Sequence, residues 1–301
     1  MNISEAEKIY RELGYKSIRS EDEEFMLTEA LEYLVRETKD TGWMVELGGY
    51  YYEEKKFDLA LKYYELADMY GDNWAPEGLG YIWYYGRTGT KDYEKAFHYY
   101  QKAAEKGNLK SKVKLADMYK NGYYVERDYA KYVRLIEEMY PKVENTRNLY
   151  DPKPEVYTRL ARIREEEGNT EEAVRLSLDT KDFLAQRIRY NTFFGDLNIM
   201  KWLEEDLYRL IPLYLNDVDL FDLYIILREP AEVTFRYGRK IYTVVSVEEN
   251  NETVIRFEDK WYRTVDDFFM KASINGQRIP VLYSRLYDFR VNKNGTDQDK
   301  E

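Results

Sequence analysis

Three short segments of this chain repeat one another: Leu47-Gly48-Gly49-Tyr50-Tyr51, Leu79-Gly80-Tyr81-Ile82-Trp83 and Leu115-Ala116-Asp117-Met118-Tyr119. In each, a leucine precedes a small residue, and an aromatic stands four positions after the leucine. A looser copy starts at Leu160-Ala161, where Arg164 replaces the aromatic. Each copy is followed by a second periodic segment, opening at Ala60, Ala96, Tyr132 and Ala173. The clearest pair is Ala60-x-x-Tyr63-Tyr64-x-x-Ala67 and Ala96-x-x-Tyr99-Tyr100-x-x-Ala103. Offsets of three, four and seven place these residues on one helical face. Two helices in 32–45 residues form a helix-turn-helix repeat. A single hairpin of this kind cannot bury its apolar face, so consecutive copies must stack into an α-solenoid. Small residues at Gly48, Gly80 and Ala116 let the partner helix approach, and Tyr51, Trp83 and Tyr119 fill the space beside them.

The residues resemble a known family. Leu115-Ala116-Asp117-Met118-Tyr119-Lys120-Asn121-Gly122, followed by Val125 and Asp128-Tyr129, is similar to the Sel-one-like repeat, a relative of the tetratricopeptide repeat. Ala96-Phe97-His98-Tyr99-Tyr100-Gln101-Lys102-Ala103-Ala104-Glu105-Lys106-Gly107 resembles the end of such a repeat. The resemblance covers residues 41–140 well and 155–178 loosely. It implies a right-handed, mostly α solenoid and is nearly silent about a partner. From repeat leucine to second helix is 17 residues in the two middle copies and 13 at Leu47 and Leu160, so the short copies look like plain tetratricopeptide hairpins. In the Leu115 copy, Tyr124 and Tyr132 stand where the family has glycine and alanine.

Residues 1–40 are expected to form a helical cap. One helix runs from Ser4 to about Leu13, and Ser20-Glu21-Asp22-Glu23 opens a second through a capping box. The repeats occupy 41–178 and a helical connector 179–230, with a break near Gly195 and a stop at Pro212. From Glu232 the apolar period changes from helical to two, as Val233, Phe235 and Tyr237 show. Turns at Gly238, Glu249-Asn250-Asn251 and Asp259-Lys260 separate strands of an antiparallel meander. Thr264 then caps a helix, and Asn275-Gly276 turns the chain. The expectation for 231–291 is a small antiparallel β-rich (α+β) domain, followed by a polar tail at 292–301.

No catalytic constellation is legible. Gly78-Leu79-Gly80 has Trp83 where a dinucleotide loop needs its third glycine, and it lies in a repeat helix rather than after a strand. With no cysteine and one histidine, thiolate chemistry and His-His metal sites are excluded. His98 matches Lys62 in the preceding repeat, which reads as a solvent-facing position. Acid runs such as Glu204-Glu205-Asp206 read as solvated helix faces. The expectation is therefore a non-enzyme without cofactor or metal. No export signal or membrane span is legible, so the expected compartment is the cytoplasm.

The family places the first helix of each repeat on the concave face. The resemblance implies that offsets of −5, −2, +2 and +5 from the repeat leucine point there. These select Tyr52 in the first copy, Trp74, Glu77, Tyr81 and Tyr84 in the second, and Lys110, Asp117 and Lys120 in the third. Aromatics beside lysines suit a protein or peptide with apolar anchors and an acid, because aromatics dominate binding hot spots. The competing reading is that these rings pack on the neighbouring repeat. A second function class is a nucleic-acid adaptor. Residues 101–150 carry 11 bases and 7 acids, and Lys102, Lys106, Lys110, Lys112, Lys114 and Lys120 would meet phosphate while Tyr123 and Tyr124 stack on bases. A formal net charge of −11 ranks it behind the protein-binding reading. An enzyme with its site in the C-terminal module is third. The oligomeric state is not legible.

Overall fold

The structure is a computed structural model and describes residues 1–14, 16, 19–190, 194–211, 218–249 and 252–292. The chain divides into two compact units, Met1–Val156 and Tyr157–Glu301. The expected Pro212 stop, the Asn250-Asn251 turn and the tail after Asn292 lie outside the described residues.

The first unit is a stack of antiparallel helix pairs: α1 Ile3–Leu13 with α2 Glu21–Thr38, α3 Thr41–Glu53 with α4 Phe57–Met69, α5 Ala75–Tyr85 with α6 Tyr93–Glu105, and α7 Leu109–Asn121 with α8 Tyr129–Val143. The ends are set by local chemistry. Ser20 Oγ accepts from Glu23 N while Glu23 Oε2 accepts from Ser20 N, so the expected capping box forms. Asp92, Asn108 and Asp128 cap α6, α7 and α8 through their side chains. Gly86 and Gly122 end α5 and α7 in the left-handed region, where a side chain would be strained. Neighbouring pairs are held by half-buried polar contacts as well as by apolar burial. Tyr50 Oη donates to Glu24 Oε2 at 2.9 Å and accepts from Thr28 Oγ1 at 2.8 Å, tying α3 to α2. Burial pushes that phenol's pKa up to about 12.

The small residues of the repeat signature are required by rings. A Cβ on Gly48 would stand 2.8 Å from the ring of Tyr64, and one on Gly78 2.6 Å from the same ring. A Cβ on Gly80 would stand 2.4 Å from Tyr100. Tyr64 and Tyr100 are register equivalents on the second helices, four residues after Ala60 and Ala96. In the third copy the small residue is Ala116, and Ile136 takes the ring's register position. The signature aromatics Trp83 and Tyr119 each stand under a lysine of the second helix, Lys95 and Lys131, with Nζ 3.9 Å from the ring centroid in both.

The second unit begins within α9, Lys153–Glu166, and continues through α10 Thr170–Tyr190, α11 Phe194–Leu210 and the short α12 Leu223–Ile226. The boundary expected after residue 178 falls inside α10, because no glycine or proline interrupts 170–190. The break expected near Gly195 coincides with the boundary between α10 and α11, and Gly195 lies in the first turn of α11. The strands are β1 Ala231–Tyr237, β2 Lys240–Glu249, β3 Glu252–Phe257, β4 Lys260–Tyr262, β5 Ser273–Ile274, β6 Gln277–Arg278 and β7 Leu286–Asn292. They form an antiparallel five-stranded sheet of order β4-β3-β2-β1-β7 and a two-stranded hairpin, β5-β6. The expected meander accounts for β1 to β4. Strand β7 was not expected; it pairs antiparallel with β1 through an irregular register between Thr234 and Arg236. Thr264 caps α13, Val265–Lys271, as the sequence predicts. One sheet face is buried through Val233, Phe235, Val244, Ile255 and Phe257, which share a core with Phe268 and Phe269 of α13.

Candidate functional site

The first helices α3, α5 and α7 of consecutive repeats also touch one another, so their outward residues form one continuous face. Trp74 stands at the N-terminal end of α5 and is 63% exposed, its backbone N–H donating to Asp72 Oδ1 at 2.6 Å. Glu77 accepts from Asn108 Nδ2 at 2.6 Å, and Asn108 Oδ1 caps the next first helix by accepting from Ser111 N. Tyr81 stacks on Tyr85 with planes 4° apart and meets Tyr100 edge-on at 5.8 Å. Tyr84 meets Tyr93, Tyr100 and Tyr123 edge-on. Burial raises both phenol pKa values, because a phenolate would lose its hydration. These two rings therefore pack between elements, as the competing reading of them expects.

The remaining expected residues are divided. Tyr52 accepts from Arg87 Nε at 2.9 Å and lies edge-on to Phe57. Asp117 lies close enough to Tyr84 to raise its phenol further. Lys110 stands half-buried in the first turn of α7. Lys120 turns to its own hairpin, with Nζ 4.8 Å from the ring of Tyr132 on α8.

Three residues outside the expected set contact these side chains: Tyr85, Arg87 and Lys114. Tyr85 is 38% exposed. Lys114 Nζ donates to Tyr85 Oη at 2.7 Å and lies 5.1 Å from its ring. The Arg87 guanidinium lies over the same ring at 4.9 Å. Cations held against aromatic faces gain electrostatic attraction from the ring quadrupole. Helical arithmetic from the repeat leucine contained part of this signal. Offsets −1, +2 and +6 share a stripe, and they pick Lys114 on α7 with Tyr81 and Tyr85 on α5. Arg87 follows the Gly86 cap, where helical arithmetic ends.

The lysines of the basic window are largely engaged within the chain. Lys102 pairs with Asp68 at 2.5 Å, Lys106 reaches the Asp72 carbonyl, and Lys114 and Lys120 lie on tyrosines. Tyr123 stacks on Tyr93 at 4.4 Å, and Tyr124 donates to Glu94 at 3.2 Å. The phosphate-and-stacking arrangement does not gain support from this geometry. His98 is exposed, as its register with Lys62 implies.

In the second unit, Lys181 is nearly buried among carboxylates: Asp219 at 2.9 Å, Glu204 at 3.3 Å and Asp222 at 3.7 Å. Burial lowers its pKa, but the three acids outweigh burial and hold it above the ordinary lysine range. Burial raises Glu204 well above the usual carboxylate range, and Asp222 is also raised. The Glu204 acid run, expected as a solvated face, is thus partly an interior feature, since Glu204 is 0% exposed. Among the described residues no cluster of His, Asp and Glu is arranged to hold a metal ion. None of the described helices is long and apolar enough to cross a membrane.

Comparison with known proteins agrees with this architecture. The Sel1 repeat family model matches residues 78–108 and 110–131. The crystal structure of a Sel1 repeat protein from Oxalobacter formigenes is similar, with a TM-score of 0.50 and 16% identity over 74% of this chain and 94% of that one. A protective antigen of uropathogenic Escherichia coli displaying an SLR fold matches with a TM-score of 0.48 and 16% identity, over 69% of this chain and 45% of that one. No curated protein matches the sequence.

Proposed function

We propose, from the premise that this chain is a Sel1-like repeat protein, that it is a non-enzymatic scaffold binding a protein or peptide on its first-helix face. Sel1 repeat proteins generally act as protein-interaction scaffolds. The observation that carries the reading is the continuity of one face over three repeats. Tyr52, Tyr85 and Lys114 come from α3, α5 and α7; Arg87 joins Tyr52 to Tyr85, and Lys114 joins Tyr85 by a hydrogen bond. Exposed Trp74 and Tyr85 supply rings of the kind that anchor partners, since large aromatics bury much area at low entropic cost. Glu77, Lys110 and Asp117 give the face polar groups at its edge, and Tyr81 and Tyr84 support it from beneath. Lys120, turned toward Tyr132, is its weakest member.

The test is site-specific photocrosslinking. Trp74→p-benzoylphenylalanine should capture discrete polypeptides from source-cell lysate. The same group at exposed Gln101, on the second helix α6, should not. Equal capture at both positions, or none at Trp74, would move binding off this face.

A further inference from the structure

We propose that the Arg87 end of this face is a carboxylate subsite, so that the partner engages it through an acidic peptide segment. The proposal rests on the scaffold reading and adds the chemistry of the ligand. Arg87 is boxed by three rings: Tyr85 at 4.9 Å, Phe57 at 5.4 Å and Tyr52 at 5.6 Å from its guanidinium carbon. Its Nε is pinned to Tyr52 Oη. Among the described residues its terminal nitrogens meet no carboxylate. A guanidinium fixed in this way has already lost the freedom that binding would otherwise remove, and its fork fits a carboxylate in bidentate fashion.

The surroundings have the matching charge. Arg87 opens on a cleft of about 300 Å³ that Lys55 and Lys56 also line, with Asp58 as its one acid among the described residues. Neither lysine forms an ion pair among the described residues. Also beside Tyr85, Lys114 is likewise engaged by rings and a hydroxyl rather than by a carboxylate. Residues 1–100 contain 21 acids and 12 bases, so a convergence of cations with one acid runs against the local composition. Phe57 and Leu59 give the cleft apolar walls. Asp58 favours a singly charged carboxylate over a doubly charged phosphate, because like charges at close range repel in proportion to their product.

The test uses two short fluorescein-labelled peptides, one alternating glutamate with tryptophan and one alternating glutamine with tryptophan, read by fluorescence anisotropy. The glutamate peptide should bind about tenfold tighter, as expected for a charge-assisted contact. Arg87→Gln should reduce it to the level of the glutamine peptide. Lys55→Gln lies on exposed surface, so it keeps the test decisive should Arg87→Gln disturb folding; it should weaken the glutamate peptide several-fold and leave the other unchanged. Circular dichroism checks the fold of both variants. Equal affinity for the two peptides, no binding of either, or insensitivity to both substitutions overturns the subsite. Displacement of the glutamate peptide by a single-stranded oligonucleotide at lower concentration than by unlabelled peptide overturns it as well. Polypeptide capture at Trp74 with charge-blind peptide binding removes only the subsite. Absence of both removes the scaffold reading too.

Discussion

The ring of Tyr64 rests where two glycines of different repeats leave room for it, Gly48 on α3 and Gly78 on α5. Tyr100 meets Gly80 of its own hairpin at a closer distance. Packed interiors give little when a methyl group is inserted, so Gly80→Ala should cost about 1–3 kcal/mol, read as a lower urea midpoint at unchanged slope. Ala116 and Ile136 hold the equivalent positions in the third copy, which suggests the compensating change. Gly80→Ala with Tyr100→Ile should lose less than the sum of the single losses, and simple additivity would show that the two sites do not interact. The same packing changes what Tyr81 and Tyr84 can report. Tyr84→Ala removes a half-buried ring from contact with four others and should cost about 2–4 kcal/mol, so thermal melts must accompany any binding measurement on it. The leucine-small-aromatic signature revealed the small positions. It did not reveal which side chain claims the space, because Tyr64 and Tyr100 come from the other helix of the hairpin and their reach depends on packing.

Lys181 joins three elements by touching carboxylates of α11 and of the segment leading into α12, from its place on α10. Removing this cation takes away an attraction that helps to compensate the charge held by the buried carboxylates. Lys181→Met should therefore destabilise the second unit by about 3 kcal/mol or more, read by calorimetry. Glu204 provides the pH dependence. Its folded pKa is raised, so its contribution is fully present below the unfolded value near 4.5 and is lost as pH rises toward the folded value. Glu204→Gln cannot titrate, so its stability relative to the parent should rise between pH 5 and pH 8. A constant difference over that range would show that Glu204 titrates normally. At this scale the caps, the change of period at Glu232 and strands β1 to β4 were legible, since each rests on neighbours in sequence. Strand β7 was not, because Asp288 with φ 55° interrupts the alternation that marks a strand. The fusion of the fourth repeat's second helix with the following segment into α10 was also missed, though its glycine-free, proline-free run was readable.

The two compact units have separate hydrophobic clusters, around Leu47, Tyr64 and Leu79 in one and around Phe235, Phe257 and Phe268 in the other. Calorimetry should therefore resolve two transitions, with Gly80→Ala lowering one and Lys181→Met the other. A single transition lowered equally by both would mean that the cores unfold together. The fold class was legible because repetition and periodicity are properties of the string itself. The proposed binding face was legible only in outline. Its helices follow from the repeat, but Arg87 lies beyond a helix end, and its proximity to Tyr52 depends on how successive repeats are stacked.

The seating of Tyr64 also bears on how such a chain can lengthen. A duplicated α3–α4 hairpin would carry the ring and Gly48, but not the glycine at Gly78 that its far side needs. A duplication starting at α4 and ending after α5 would carry the ring together with Gly78 and would meet a Gly48 equivalent upstream in Gly80's own register. Around Tyr64 the module that keeps this seat intact is therefore staggered by one helix from the visible hairpin, and insertions or deletions beside α4 should have their endpoints within hairpins, not between them.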